Sequence, residues 1–282
     1  MHLSLGFSSC PNDAFIFDAM VHGKIDTEGI VFDPLIEDVE SLNQGALNGH
    51  LDITKLSFHA FGYVWDDYVL LNSGSALGRG CGPLVVSKTN QNSRDLDTKQ
   101  LTVAIPGKYT TANFLFSLVF PEVGDKREIL FSEIEDAVLN ESVDLGVIIH
   151  ENRFTFEQRG LVKVLDLGEY WEKETGSPIP LGGIAMKRDK DEAMKLKVDR
   201  ILKRSVEFAM DNPASSKEYV QELAQEMDER VIEQHIALYV NEYSVDLGEE
   251  GRAAVLCLFE KAIELNIFEQ SQLELILTTN KS

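Results

Sequence analysis

Cysteine is scarce in this sequence. The 282 residues include three cysteines, Cys10, Cys81 and Cys257, which lie far apart and form no CxxC spacing. A disulfide framework or a cysteine-based zinc site needs cysteines in pairs at short intervals. The sequence therefore predicts neither, and so few cysteines are typical of a protein from a reducing compartment.

Long hydrophobic runs are also missing. A membrane-spanning helix needs about 18–20 consecutive apolar residues, and no stretch of this sequence is that long. The first residues, Met1–Gly6, lack the basic and apolar regions of a secretory signal peptide. We therefore expect a cytoplasmic protein that does not bind membranes.

Positive charge is in short supply. Lys and Arg number 26 against 47 Asp and Glu, which gives a formal net charge of −21. Nucleic acids and anionic membranes attract proteins with a positive field, so neither is expected as a partner. A small carboxylate substrate remains possible, because one pocket can be positive on an acidic protein. Protein partners cannot be predicted.

Several motifs of catalysis and cofactor binding are absent as well. The sequence has no GxSxG, no dinucleotide-binding fingerprint and no metal-ligand spacing. The glycine-rich stretch 78–82 lacks the lysine and hydroxyl of a P-loop, and it predicts a close approach of backbone to backbone or to a ligand. We expect no metal and no cofactor.

The segments that are present predict an α/β protein. Short apolar runs alternate with amphipathic stretches up to a final strand near Met186, and the pattern is helical from Asp191 onward. Strands are predicted at 3–7, 30–36, 51–57, 69–72, 83–87, 101–105, 128–131 and 145–149. Helices are predicted from 11 to 23, 39 to 48, 111 to 120, 132 to 141, 193 to 210, 215 to 227, 229 to 240 and 249 to 267.

Part of this order occurs twice. A strand, an acidic helix start and a strand led by aspartate are found at 30–57 and at 128–150, where Leu51-Asp52-Ile53 matches Val143-Asp144-Leu145. Two similar halves predict two lobes that face a central cleft. We expect a large lobe from residues 1–96 with 177–282 and a small lobe from 97–176.

His150 follows the apolar run Leu145–Ile149 at the predicted C-terminal end of a buried strand. Ligands of open α/β sheets bind at that edge, and histidine can accept a proton near neutral pH. His150 is therefore a candidate catalytic base. The alternative is a histidine in a surface loop.

Lys55 lies inside the apolar strand that ends at Ser57. A buried ammonium without a partner is costly, so Lys55 should meet a carboxylate of the protein or of a ligand. A plain internal salt bridge is the alternative. His59, two residues further, is expected to be structural.

Two predicted helix N-termini are suited to an anion, because free N–H groups and nearby hydroxyls favour negative charge. The first has Ser9 and Asn12 beside Pro11. The second has Thr110, a natural N-cap, and Thr111 in the first turn of the helix. Ordinary helix capping needs only one side chain at each place and is the alternative.

Several motifs together resemble the 1,4-dihydroxy-6-naphthoate synthase family over essentially the whole chain. They are Ser8–Asp13 with Phe15–Phe17, Lys55–Ser57, Gly80–Leu84, Thr110-Thr111, Gly146–Thr155, Pro178–Gly183 and Tyr239–Glu242.

The resemblance implies the two-lobed fold of type II periplasmic binding proteins with a helical C-terminal part. It implies a lyase of menaquinone biosynthesis, in the futalosine pathway, that converts cyclic dehypoxanthinyl futalosine to 1,4-dihydroxy-6-naphthoate and dihydroxyacetone. In that family the residue matching His150 is the proposed proton acceptor. The residues matching Lys55, Leu56, Ser57, Thr110 and Thr111 contact the substrate.

Two other functions remain open at this point. One is a solute-binding protein without catalytic activity, which would share the fold. The other is chorismate dehydratase, the sister enzyme of the same pathway, which the motifs around Cys10 and His150 disfavour. The roles of Cys10 and Trp171, in packing or at a ligand, are also open.

Overall fold

A computed structural model describes residues 1–90, 98–224 and 228–278 of the chain. The strands in these ranges are β1 (His2–Phe7), β2 (Val31–Ile36), β3 (Ile53–Ser57), β4 (Tyr68–Leu70), β5 (Ala76–Gly78), β6 (Leu84–Ser87), β7 (Thr102–Ile105), β8 (Asp125–Glu128), β9 (Leu145–Ile148), β10 (Val162–Asp166) and β11 (Ile179–Lys187). The helices are α1 (Pro11–Val21), α2 (Val39–Leu47), α3 (Phe58–Phe61), α4 (Thr111–Val119), α5 (Ile134–Leu139), α6 (Asn152–Thr155), α7 (Leu167–Thr175), α8 (Glu192–Asp211), α9 (Lys217–Leu223), α10 (Glu229–Tyr239), α11 (Glu242–Val245) and α12 (Gly248–Glu264).

The chain divides into two compact units. Unit 1 consists of Met1–Gly78 and Pro180–Ser282, and unit 2 of Arg79–Ile179. This division differs from the predicted boundaries at 96/97 and 176/177, because β6 pairs with β9 and β10 in the sheet of unit 2. The stretch 90–99 is polar and without periodicity, which predicts a crossover between the lobes, and it falls mainly on residues 91–97, outside the described ranges. The last residues of the predicted helix 215–227 also lie outside these ranges.

The sheet of unit 1 has the order β2-β1-β3-β11-β4, with β5 paired to β11. β1 is parallel to β2 and β3, whereas β11 is antiparallel to β3 and β4. Helix α1 is buried along nearly its whole length, and α8 packs on it with an apolar face that includes Val198, Ile201 and Leu202. The main core of unit 1 therefore lies between β1, α1 and α8.

The sheet of unit 2 has the order β10-β6-β9-β7-β8. β7 is parallel to β8 and β9, and β6 is antiparallel to β9 and β10. Its core combines Val86, Ala104 and Ile148 from the strands with Ile134 and Val138 from α5. Both sheets agree with the predicted α/β class.

The internal repeat is confirmed by strand order and register. In unit 1 the parallel pair β1–β3 aligns Leu5 with Ile53, and in unit 2 the pair β7–β9 aligns Val103 with Leu145. The flanking strands β2 and β8 take equivalent places beside β1 and β7. Each unit is thus built on the same β-α-β-α-β arrangement.

The matched aspartates perform the same task in both copies. Asp52 Oδ2 accepts hydrogen bonds from the backbone N–H and the hydroxyl of Ser4, each at 3.0 Å. Asp144 Oδ2 accepts the corresponding bonds from Thr102, each at 2.8 Å. In return, each hydroxyl accepts the N–H of its aspartate. We call these two sets of bonds the strand clamps.

The strand predicted at 128–131 is wrong, and so is the capping box that the sequence Ser132-Glu133-Ile134-Glu135 predicts. The strand after α4 is β8, which ends at Glu128 where its register with Ile105 ends, so Phe131 lies beyond it in a 3₁₀ turn, Phe131–Glu133. Ser132 therefore lies within that turn, and α5 begins at Ile134 without a side-chain cap. The sequence of β8 is polar and carries no hydrophobic pattern that would predict a strand, because an edge strand buries little of its surface.

Within the described ranges, no helix is both long enough and apolar enough to cross a membrane.

Candidate functional site

Five of the predicted site residues lie at one edge of the sheet of unit 1. β1 and β3 are parallel, so the segment after β1, with Ser9 and Asn12, lies at the same edge as the end of β3, with Lys55, Leu56 and Ser57. This is the edge of parallel strands at which α/β proteins bind ligands.

Lys55 makes an ion pair inside the protein. Its ammonium lies 2.6 Å from Asp13 Oδ1, and both side chains are buried. The prediction that Lys55 meets a carboxylate is confirmed, in its internal salt-bridge form. The cost of burying the ammonium is offset by a close opposite charge.

Asp13 in the first turn of α1 collects four hydrogen bonds. Oδ1 accepts from Lys55 and from the Asn12 amide at 2.8 Å, and Oδ2 accepts from the Ser8 N–H at 3.2 Å and the Ser8 hydroxyl at 2.7 Å. Helix α1 has Cys10 at its N-cap without a side-chain cap bond. The positive end of the α1 dipole adds to these donors in balancing the carboxylate charge.

Ser57 is held from α2. Its N–H donates to Asn43 Oδ1 at 2.9 Å, and its hydroxyl accepts from Asn43 Nδ2 at 3.3 Å. The same amide nitrogen donates to Glu40. Leu56, the neighbour of Ser57, is fully buried, so its side chain belongs to the core.

Gly182 allows β11 to pass this edge closely. It pairs with Ser57, and a Cβ at this position would lie 2.9 Å from the Leu56 carbonyl oxygen and 3.3 Å from Lys55 Cε. A side chain there would push against the backbone and against the lysine. Glycine at 182 is therefore needed to keep β3 and Lys55 in place.

The other three predicted site residues lie at one edge of the sheet of unit 2. β7 and β9 are parallel, so Thr110 and Thr111, after β7, lie at the same edge as His150, after β9. β6 is antiparallel to β9 and therefore begins at this edge. The structure thus groups the predicted residues by unit.

His150 lies two residues beyond β9 and has a backbone φ of 57°. Left-handed φ values are uncommon for residues other than glycine, and they occur most often at tight turns and functional sites. Its ring packs edge-to-face on Phe131, with ring centroids 4.8 Å apart. The residue as a whole is partly exposed, and its Nε2 atom is buried.

Thr110 caps helix α4, as predicted. Its hydroxyl accepts the N–H of Asn113 at 3.2 Å and donates to the Gly107 carbonyl at 2.8 Å. Thr111 is the first residue of α4, and both threonines are buried. Capping thus accounts for the Thr110 hydroxyl, and binding through Thr110 and Thr111 stays a prediction.

Arg153 ties the segment after His150 to the rest of unit 2. Its guanidinium donates to the Gly82 carbonyl at 2.5 Å and to Asp166 at 2.6 Å. A Cβ at Gly82 would lie 2.3 Å from Cα of Gly168. The predicted close approach at the glycine-rich stretch is therefore one of backbone to backbone.

Other candidate residues have structural surroundings. Burial raises the pKa of the Cys81 thiol to about 12, which makes it a poor nucleophile. Trp171 is buried and donates to the Pro178 carbonyl at 3.2 Å, and His59 packs against Tyr63. Within the described ranges no group of three or more His, Cys, Asp or Glu residues could hold a metal ion.

Three residues that organise these edges carry too weak a signal in the sequence to be predicted. Asp13 was visible only as part of a motif, and Asn43 and Phe131 carried no signal. The need of Lys55 for a carboxylate pointed to a residue such as Asp13 but not to its position.

Solved structures support the predicted fold. A protein from Archaeoglobus fulgidus is similar with a TM-score of 0.88 and 34% identity, over 95% of this chain and 98% of that one. The alkanesulfonate-binding protein of Xanthomonas axonopodis has a TM-score of 0.70 at 12% identity, over 98% and 96%. The periplasmic aliphatic sulphonate binding protein of Escherichia coli has a TM-score of 0.63 at 12% identity, over 100% and 98%. The expected periplasmic-binding-protein-like fold is confirmed.

Relatives of known name support the predicted family. A 1,4-dihydroxy-6-naphthoate synthase of Thermus thermophilus is 46% identical over 92% of this chain and 93% of its own length. One of Streptomyces coelicolor is 43% identical over 92% of each. The pattern of the menaquinone biosynthesis family matches residues 3–264. The chain belongs to the menaquinone biosynthesis family and is an enzyme related to these synthases.

Proposed function

We propose that this protein is a 1,4-dihydroxy-6-naphthoate synthase, a carbon–carbon lyase that acts on cyclic dehypoxanthinyl futalosine and releases dihydroxyacetone. The proposal is supported by the 46% identity to a synthase of that name. The observation that carries the chemistry is the position of His150 just beyond the C-terminal end of β9, where its backbone φ is 57°. The cytoplasmic location stays a prediction.

In the proposed reaction His150 removes a proton from a hydroxyl of the sugar-derived part of the substrate. The electron pair left on that oxygen forms a carbonyl as the adjacent carbon–carbon bond breaks. The electrons of that bond pass into the ring system, which becomes aromatic. A neutral imidazole is suited to this step because it has a ring nitrogen that can accept the proton.

The proposed substrate-binding residues keep the roles that the family resemblance implies. Lys55 brings a positive charge for an anionic oxygen, and Ser57, Thr110 and Thr111 bring hydroxyls or first-turn N–H groups. Ser9 and Asn12 lie before and within the start of α1. Leu56 would contribute its backbone, since its side chain is buried.

The test compares purified wild type with His150→Asn. Asparagine adopts left-handed φ values more readily than alanine does, so this change removes the base with little strain at φ 57°. We expect turnover of cyclic dehypoxanthinyl futalosine to fall about 10²–10⁴-fold. The appearance of 1,4-dihydroxy-6-naphthoate and of dihydroxyacetone would be measured separately.

His50→Ala is the matched control, because His50 is an exposed histidine outside both edges. It should retain wild-type turnover. Wild type that binds the substrate without releasing naphthoate would refute the proposed activity. Full activity of His150→Asn would leave the activity in place and remove His150 from the mechanism.

A further inference from the structure

A buried line of hydrogen bonds in unit 1 runs from helix α10 to Lys55. His235 Nε2 lies 2.9 Å from Asn12 Oδ1, Asn12 Nδ2 donates to Asp13 Oδ1, and Lys55 Nζ donates to the same oxygen. All four residues are buried, and His235 is 0% exposed. The C-terminal helical part thus reaches the predicted binding edge through side chains.

The direction of these bonds is fixed by chemistry. The Asp13 carboxylate only accepts, so the Asn12 amide must turn its NH₂ group toward Asp13 and its oxygen toward His235. An oxygen there can only accept, so His235 carries a proton on Nε2. His235 therefore donates to Asn12, Asn12 donates to Asp13, and Lys55 donates to the same Asp13 oxygen.

Lys55 has hydrogen-bonding capacity left over. An ammonium has three protons, and within residues 1–90, 98–224 and 228–278 its one protein acceptor is Asp13. Two N–H bonds therefore remain for other groups. Where they point depends on how Asp13 holds the nitrogen.

We propose that His235 is a positioning residue, which acts through Asn12 on Asp13 and so aims the Lys55 ammonium at an anionic oxygen of the substrate. This inference rests on the proposed function and deepens it. Without the His235 donor the Asn12 amide is free to rotate, and Asp13 loses one of its four donors. Lys55 then follows the carboxylate to a new position.

The packing around His235 suits this task. The Tyr239 ring, one helical turn further along α10, lies 4.6 Å from the imidazole. A ring held on one face and buried completely has little freedom to turn. Binding groups keep their geometry best when their supporting residues are locked by packing in this way.

The experiment pairs His235→Leu, which has no donor, with His235→Gln, which keeps an N–H donor on a side chain of similar reach. His59→Leu is the matched control, since His59 is also buried but packs among aromatic rings. Steady-state kinetics with cyclic dehypoxanthinyl futalosine give KM and kcat for each variant. Calorimetric titration compares 2-naphthoate with the uncharged 2-naphthamide.

We expect the wild type to bind the naphthoate at least about tenfold more tightly than the amide, since a charge-assisted bond to the carboxylate distinguishes them. Lys55→Met should abolish this preference. His235→Leu should lose most of it and raise KM by about tenfold, as expected for the loss of binding shared by substrate and transition state. His235→Gln and His59→Leu should stay close to wild type.

The proposal would be overturned if the wild type did not prefer the naphthoate over the amide, or if Lys55→Met kept that preference. It would also be overturned if a folded His235→Leu had wild-type KM and preference, or if His235→Gln were as impaired as His235→Leu. If His235→Leu does not fold, Asn12→Ser breaks the same series from its other side and replaces it in every comparison. Where both fold, their effects on KM should be less than additive in the double variant, and strict additivity would also contradict the relay.

The titrations separate this proposal from the proposed function. A wild type that releases no naphthoate from cyclic dehypoxanthinyl futalosine would refute the function. The binding preferences of the wild type, Lys55→Met and His235→Leu would still decide whether His235 positions Lys55.

Discussion

The two units use the same framework for different strand ends. Each has a β-α-β-α-β arrangement with one strand clamp, through Asp52 or Asp144. When Ile53 is matched with Leu145, Lys55 corresponds to Val147 and Phe58 to His150. Unit 1 therefore has a buried charge, Lys55, within the strand and an apolar residue after it. Unit 2 has an apolar residue, Val147, within the strand and a polar residue, His150, after it.

This difference shows what a buried charge requires of its surroundings. Val147 lies in a fully apolar strand and needs no partner. Lys55 has the equivalent place, and around it the chain brings Asp13 with its own donors from Asn12 and Ser8. Unit 1 thus holds a buried ion pair within its strand, whereas unit 2 has an imidazole just beyond the end of its strand.

The largest effect should come from breaking the ion pair of unit 1. Asp13→Ala leaves the Lys55 ammonium buried without a counter-ion, so we expect a loss of about 3–5 kcal/mol in the free energy of unfolding. The double variant Asp13→Ala/Lys55→Met turns this position into an apolar one like Val147. It should recover most of that loss, because it removes both charges.

Urea unfolding would measure this in each unit separately. The chain has two tryptophans, Trp65 in unit 1 and Trp171 in unit 2, so Trp171→Phe and Trp65→Phe backgrounds report one unit each. A loss below about 1 kcal/mol for Asp13→Ala, the range of an exposed pair, would show that the pair does not stabilise unit 1.

A smaller effect should come from removing the strand clamps. Asp52→Ala should lower the free energy of unfolding by about 2 kcal/mol, and Asp144→Ala should lower it by about 1 kcal/mol. Hydrogen bonds to charged groups stabilise a fold by about 1.5–3 kcal/mol, and by less where they are exposed. Asp52 is the more enclosed and also lies 2.9 Å from Lys190, whereas Asp144 is exposed. Equal losses of unfolding free energy in the two variants would contradict the expectation that the more enclosed clamp stabilises more.

The clamp of unit 1 should also depend on pH. Burial by itself raises the pKa of Asp52, but hydrogen bonds from Lys190 and Ser4 outweigh it and hold the pKa below 3.8. Its stabilisation is therefore present above pH 3.8 and is lost as the pH falls through the lower pKa of the folded state. The stability difference between wild type and Asp52→Ala should shrink over that range in unfolding measurements.

The smallest effect should come from the backbone at His150. Its φ of 57° is strained for a residue with a Cβ, so His150→Gly should be more stable than His150→Ala by about 0.5–1 kcal/mol. Both variants lose the ring contact with Phe131, so their difference isolates the backbone. The thermal midpoint of unit 2, followed through Trp171, would show it. An alanine variant as stable as the glycine variant would contradict strain at this position.

Parts of this arrangement could be predicted because their signals are local. Thr110 was identified as a cap from its place before an apolar helix, and its bond to Asn113 confirms it. The burial of Lys55 followed from its apolar neighbours. β8 was misplaced because an edge strand carries little hydrophobic pattern, and the division at Gly78/Arg79 depends on how β6 pairs.

The sequence by itself determined the α/β class, the repeated aspartate-led strand, and the need of Lys55 for a carboxylate, since periodicity and the cost of burying charge act on neighbouring residues. Only the tertiary structure decided which residues meet those needs. Asp13 is 42 residues from Lys55, and His235 is 223 residues from Asn12. Such pairs arise because α1 lies between the sheet and α10, and no pattern of neighbouring residues encodes that packing.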